Sequence, residues 1–418
     1  MNFSKEKKGL YILVAIAVII KLIILQFITD FRIWEANEMA INYLNTGQML
    51  YNHDGVMVYN YDFPVYPFLL FLVYKIFGIQ YSYAIVLNIV FSAISAILFY
   101  DVFGAFFDRF DLPEKLQTWK PMILLISVAA FLFHPLIMFY ELKNIHPFAM
   151  TVFFYAWALW WMVKYFEKDS FINLTLYAIV LGLAILSRTT MVAITVPFFL
   201  WMMQKYKFRK AIPKLVYAAV LGSVFTLGLV YDNYKKTGKM TISNSLGIDI
   251  WKGTLVAGEG TNNLENGQTF YSALSDSDAQ KIAHLSGNER NSFYMDKYKK
   301  ILENNPKMVI QMFFVKLKNF WFFRKQMGVD YSDSVKKLVP VYMVFYLLIL
   351  LLAIYAVIKI KREAWILLSF PIALSIIQAV VYVETRHRIM IEPILIFLAI
   401  IGGALLISAA LGKKSSIA

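Results

Sequence analysis

Long apolar blocks alternate with short polar connections along this chain, and the blocks have a recurring length. They fall near 10–28, 81–106, 121–133, 147–165, 172–186, 191–203, 215–231, 340–358, 364–383 and 389–411. The runs are continuous, which excludes the alternating pattern of a strand with one polar face. Runs of roughly 18–25 apolar residues suit a helix crossing about 30 Å of hydrocarbon. Only helices and closed barrels satisfy every backbone group there. The pattern therefore predicts an all-α polytopic membrane protein with about ten transmembrane helices. The third block can extend to Tyr140, and the short fifth and sixth blocks are divided only at Ser187–Thr190.

Two apolar stretches do not fit a crossing. Pro64–Phe77, closed by Gly78, is too short and reads as an interfacial or re-entrant helix. Lys307–Lys325 carries Lys316 and Lys318 at its middle, where a charge costs about 3 kcal/mol on insertion scales. Its basic and aromatic mixture fits a helix lying on the membrane surface. Met1–Lys8 is lysine-rich, but the run behind it is long and lacks a small-residue cleavage site, so the first helix is retained. The organisation that follows is an N-terminal transmembrane module (1–231) with a catalytic first outer loop (30–80), one mixed outer loop domain (232–338), and C-terminal transmembrane helices (339–418).

Charge sets the orientation. Of the 418 residues 59% are hydrophobic and the net charge is +14, with a mean hydropathy of +0.59. Lys5, Lys7, Lys8, Arg109, Lys115, Lys120, Lys164, Lys168, the basic residues of 205–214, Lys359, Lys361, Arg362, Lys413 and Lys414 lie in one set of connections. The opposite short connections hold only Arg32, Lys143, Arg188, Arg386 and Arg388. The positive-inside rule makes the first set cytoplasmic, with both termini inside, and exempts the long loop. Cations spread this way mark topology rather than nucleic-acid binding. Cysteine is absent, which excludes disulfides, thiolate metal ligands and thiol catalysis. Lys, Ile and Asn usage suggests a bacterium, and the expected location is then its inner (plasma) membrane.

Charge on the outer side gathers at Asp30–Glu38, Glu141–His146, Glu384–Arg388 and Arg188, all at helix ends. A cavity lined by these groups would open to both lipid and water, which suits a reaction between a lipid-borne substrate and a polar one.

Several motifs lie in a telling order. Ala40, Leu44 and Gly47 follow the first acidic residues; Pro64, Tyr66 and Pro67 open a short helix ending at Gly78; Pro135 precedes Glu141. Gly182–Arg188 reads Gly-Leu-Ala-x-Leu-x-Arg. Ser243, Asn244, Gly247, Trp251, Gly253 and Gly258 open the large loop, Asn305-Pro306 leads to Lys316, and Arg386-x-Arg388 leads to Pro393. Over nearly the whole chain this order resembles the GT-C superfamily of polyprenyl-phosphate-sugar-dependent glycosyltransferases, nearest to the protein O-mannosyltransferases and the lipid A aminoarabinose transferases. The family's adjacent Asp-Glu after the first helix is absent, since Phe31 follows Asp30 and Glu35 comes five residues after Asp30.

The resemblance implies inverting transfer of a sugar from a polyprenyl monophosphate to a lipid, glycan or protein hydroxyl in the cell envelope. Asp30 is then the expected base, with Glu35 and Glu141 as alternatives or as ligands of a divalent metal ion. Arg188, Arg386 and Arg388 are the expected donor-phosphate ligands, and Trp34, Tyr61 and Tyr66 could stack on sugar. Each also has a plain structural role available: Asp30 as a solvated helix end, Glu141 paired with Lys143, Arg188 snorkelling to headgroups. Lys21 either snorkels or pairs inside the bundle. His134 and His146 are too widely spaced to share a helical face with Glu141. The rival reading is a transporter or flippase of lipid-linked sugars, which calls for inverted repeats and interrupted helices with midplane charge. A non-catalytic envelope scaffold is the third.

Overall fold

The computed structural model describes residues 5–53, 56–59, 64–243, 245–264, 268–285, 287–323 and 333–415. The chain opens with α1 (Lys5–Leu25), β1 (Arg32–Ile33), α2 (Glu35–Thr46), the antiparallel pair β2 (Leu50–His53) and β3 (Val56–Tyr59), and α3 (Val65–Phe77). Next come α4 (Tyr81–Phe107), α5 (Glu114–Thr118), α6 (Lys120–Leu132), α7 (Pro135–Lys143), β4 (Asn144–Ile145) and α8 (Phe148–Glu167). α9 (Phe171–Ser187), a 3-10 turn (Thr189–Ile194), α10 (Thr195–Lys205) and α11 (Phe208–Thr237) follow. Beyond them lie α12 (Leu246–Lys252), α13 (Asp276–Ala283), α14 (Gly287–Asn304) and α15 (Pro306–Trp321). The chain ends with α16 (Asp333–Ile360), α17 (Arg362–Val380), a second 3-10 turn (Thr385–Met390) and α18 (Glu392–Ser415).

This is an all-α polytopic membrane protein. Among the described residues α1, α4, α11, α16, α17 and α18 are long and apolar enough to cross a bilayer, six helices in all. α6 and α7, bent by 45° at their break, make a seventh if taken as one crossing. Pro135 at the start of α7 has no N–H to continue the ladder, which accounts for the bend. The other expected crossings correspond to α8 and to the shorter α9 (17 residues) and α10 (11 residues). The sixth block begins as a 3-10 turn at Thr189 and becomes α-helical only from Thr195.

α4 packs on α1, α6 and α8, α8 on α9, and α16 on α18. α9 and α11 cross very closely: a Cβ on Gly182 would strike the Gly222 carbonyl oxygen and come 2.7 Å from Phe225. That contact explains the glycine of the Gly-Leu-Ala motif, since membrane helices gain their attraction from close van der Waals approach. The segment between α11 and α16 has a separate small core of Trp251, Phe270, Ile282 and Tyr294. α15 buries Met312, Lys316, Asn319 and Phe320 against α17 and the second 3-10 turn, and exposes Ile310 and Phe314.

Inside the bundle, Lys21 Nζ donates to both Glu141 carboxylate oxygens at 2.7 and 2.9 Å and to Ser92 Oγ at 3.1 Å. Both charged side chains are 1% exposed. The pairing of Glu141 with Lys143 is thereby corrected: Lys143 is 3.0 Å from Asp30 instead. A low-dielectric interior penalises a lone charge far more than a matched pair, so the pair ties α1, α4 and α7 together. Glu141→Gln should cost about 3–5 kcal/mol by stranding the Lys21 ammonium. Thermal unfolding in detergent is the check: the single variant melts lower, and Lys21→Met with Glu141→Leu together recovers most of the loss.

Candidate functional site

Two chain-distant loops meet at the end of the bundle where α1, α9 and α17 finish. β1 pairs in parallel with β4, placing Arg32 opposite Asn144 and Ile33 opposite Ile145. The join is reinforced from below. Asn88 of α4 donates to the carbonyls of Glu141 (3.3 Å) and Asn144 (3.1 Å), and Tyr66 donates to Asn88 Oδ1 at 3.0 Å. Tyr66 is therefore buried, beneath the loop rather than at its surface. Tyr61 lies outside the described residues.

Trp34 follows β1 directly. Its Nε1 donates to Asn144 Oδ1 at 3.3 Å. The Arg386 guanidinium lies over its ring at 4.5 Å, and the His146 ring meets its edge at 5.1 Å. His146 stacks on Phe148 at 4.0 Å, and Arg188 lies over the other neighbour of that stack, 5.5 Å from the Phe148 centroid. Three residues singled out from the sequence, Trp34, Arg188 and Arg386, thus come together through the rings of His146 and Phe148.

A third cation joins from the long loop. Lys252, at the end of α12, pairs with Asp249 at 2.5 Å and sits 3.5 Å from the centroid of the Tyr382 ring. Burial works against its ammonium, but Asp249 and Tyr382 more than offset that and raise its pKa. Burial and the charge of Arg386 act the other way on Arg188, pushing its guanidinium down to about 10. His146 and His387 are held neutral, first by burial and then by neighbouring cations; Arg188, Arg386 and Lys252 all act on His387. Such a set of cations around neutral imidazoles favours an anion. Sequence reasoning missed Lys252 because a lysine in a long loop carries no topological information. Its one signal was its place between Trp251 and Gly253 in the quoted motif.

The remaining candidates lie apart from this set. Arg388 is buried, bonded from Nε to Glu392 at 2.9 Å and from Nη1 to the Phe322 carbonyl at 3.2 Å, and stacked 3.7 Å from the Tyr346 centroid. Glu35 is exposed at the start of α2, next to Trp34. Asp30 is exposed and paired with Lys143. Among the described residues no three His, Asp or Glu side chains converge as metal ligands, so Asp30, Glu35 and Glu141 do not fit a shared cation. A cavity of about 310 Å³ opens at the opposite end of the bundle, where Lys7, Lys120 and Lys164 already pair with Asp101, Asp108 and Glu167.

The architecture and this end cluster define a polytopic helical membrane protein with an ionic, aromatic-walled site at one end of its bundle. Among solved structures, ArnT from Cupriavidus metallidurans bound to undecaprenyl phosphate is similar over 95% of this chain and 78% of its own, at 13% identity and a TM-score of 0.44. The apo form of that protein gives 93% and 76%, 12% identity and a TM-score of 0.42. No protein-family model and no curated protein matches the sequence. With so distant a likeness, function has to be argued from this chain's own residues.

The Lys143 hydrogen bond and charge hold the Asp30 carboxyl below the usual carboxylate range. Any stabilisation from that pair is present at neutral pH and lost as the pH falls through the lowered value. Lys143→Met should let the Asp30 carboxyl rise toward the ordinary value of about 3.9. A carbon NMR titration of labelled aspartate reads this, and an unmoved titration would refute the pairing.

Proposed function

We propose that the chain is an inverting glycosyltransferase that moves a sugar from a polyprenyl monophosphate to an acceptor hydroxyl at the membrane boundary. The observation that carries this reading is the gathering of Arg188, Lys252 and Arg386 around His387, with Arg386 over the Trp34 ring that precedes Glu35. A lipid monophosphate needs what these three cations offer: charge-assisted hydrogen bonds to its oxygens, in a site shielded on the bundle side. The same cations stabilise the charge that grows on the phosphate as the bond to the anomeric carbon breaks. Because phosphate leaves readily, the other requirement is a base for the acceptor hydroxyl.

Asp30 and Glu35 flank the β1–Trp34 segment and are both exposed, so either can meet an acceptor arriving from water. Asp30 remains the first choice, as the exposed carboxylate closest after α1. Glu141 is the weakest of the three, because both its oxygens are engaged by Lys21 inside the bundle. Trp34 offers an aromatic face next to the cations and suits the sugar. Arg388 would act on the site only through the turn that also carries Arg386. The 232–338 domain contributes Lys252 and would cover the site on the acceptor side, and the donor end of the bundle would face the periplasm or extracellular space.

The transport alternative draws on two features, the break between α6 and α7 and the buried Lys21–Glu141 pair. That pair is closed on itself, which suits a structural tie better than a moving ion. The discriminating experiment supplies purified protein with a panel of polyprenyl-phosphate sugars and follows release of polyprenyl phosphate. Asp30→Asn should lower release roughly 100- to 10,000-fold, the usual contribution of a general base. An unaffected Asp30→Asn beside a dead Glu35→Gln would move the base to Glu35. Exchange of lipid-linked sugar across vesicles without any release would replace the transferase with a transporter.

A further inference from the structure

Lys316 sits in the middle of α15 and is 3% exposed. Its ammonium donates to the carbonyls of Val380 at 3.2 Å and Val381 at 2.8 Å. These close α17, where a helix leaves its last carbonyls without intrahelical partners and presents the negative end of its dipole. A surface-lying helix gives no reason for a lysine here; capping a neighbouring helix does.

Two glycines let the lysine reach that far. A Cβ on Gly260 would come 2.6 and 2.7 Å from Lys316 Cγ and Cδ, and one on Gly253 would strike the Val381 oxygen and come 3.0 Å from Nζ. Gly260 also has φ of +73°, which few other residues adopt. The same turn bonds onward: Val383 N donates to the Gly260 carbonyl at 3.2 Å, and Asn262 N to Glu384 Oε1 at 2.8 Å. Glu384 in turn caps the 3-10 turn, with His387 reaching back to it, and that turn carries Arg386. Tyr382, under Lys252, lies between the two ends of this chain of bonds.

We infer that Lys316 is a positioning residue of the ionic site, fixing the 380–388 segment so that Tyr382 and Arg386 face Lys252 and Arg188. The inference rests on the donor reading above for its functional consequence and on the geometry alone for its structural one. It accounts for Lys316 and Gly253 of the sequence motifs, and for Gly260 beside them, which no substrate contact explains.

Hydrogen exchange of ligand-free protein tests the structural part, comparing wild type with Lys316→Met, Lys316→Arg and, as a control on the same helix, Lys318→Met. Amides over 381–388 should exchange at least about tenfold faster in Lys316→Met, while those of α4 stay as in wild type. Lys316→Arg should restore most of the protection, because it keeps a cation over the same carbonyls. Undecaprenyl phosphate affinity should fall about tenfold in Lys316→Met alone, with an unchanged melting temperature. Wild-type exchange and affinity in Lys316→Met would overturn the inference, as would faster exchange spread evenly over the chain. A wild type that binds no undecaprenyl phosphate would sink the donor reading instead, and the exchange result would still decide whether Lys316 holds the turn.

Discussion

A lysine and a glutamate facing one another inside an apolar bundle set the terms for the rest of this molecule. Hydrocarbon supplies no water to a buried ammonium or carboxylate, so each must find its partner in the protein. Lys21 finds Glu141 and Ser92, and that meeting draws α1, α4 and α7 to one point. Glu141 and Lys143 share α7, and Lys143 meets Asp30 at its end. Asn144 is the next residue and pairs with Arg32 across the two short strands. Bundle packing and loop geometry are therefore one arrangement: where the buried pair places α7, the first and second loops must join.

The candidate site is ionic in a different way. Arg388 with Glu392 and Lys21 with Glu141 are matched pairs at 0–1% exposure. Arg188, Lys252 and Arg386 gather at one place, Lys252 paired with Asp249, over aromatic rings and next to imidazoles that burial and charge keep neutral. Cations gathered at one place raise one another's cost, and an anion relieves it. The long loop is essential to this, because Lys252 arrives with α12 and the loop is bonded to the end of α17 through Gly260, Asn262 and Lys316.

Much of the architecture was legible in the sequence because hydrocarbon thickness imposes a block length that few other constraints mimic. Boundaries at 81–106 and 147–165 lie within a residue or two of α4 and α8. The weaker part was the region around 187–194, where a 3-10 turn interrupts two short helices and neither has full spanning length. At the site, the clustering of charge at helix ends pointed to Arg188 and Arg386, and the fold brings both near Trp34, which was expected to stack on sugar. Pairing could not be read the same way. Asp30 with Lys143 and Lys21 with Glu141 are separated by more than a hundred positions, and nothing local to any of them states which takes which. Arg386 and Arg388 look equivalent in sequence, yet a 3-10 turn sends one to Trp34 and the other to Glu392.

The most direct test compares binding of undecaprenyl phosphate and of undecaprenol, its phosphate-free counterpart, by native mass spectrometry of the detergent-solubilised protein. If the cation cluster is a lipid-phosphate site, the phosphate form binds preferentially, and added salt weakens it. Arg188→Ala and Arg386→Ala should each lose about tenfold or more in affinity, the scale of a hydrogen bond to a charged group. Equal binding of both lipids, or phosphate binding untouched by either substitution, would contradict the account.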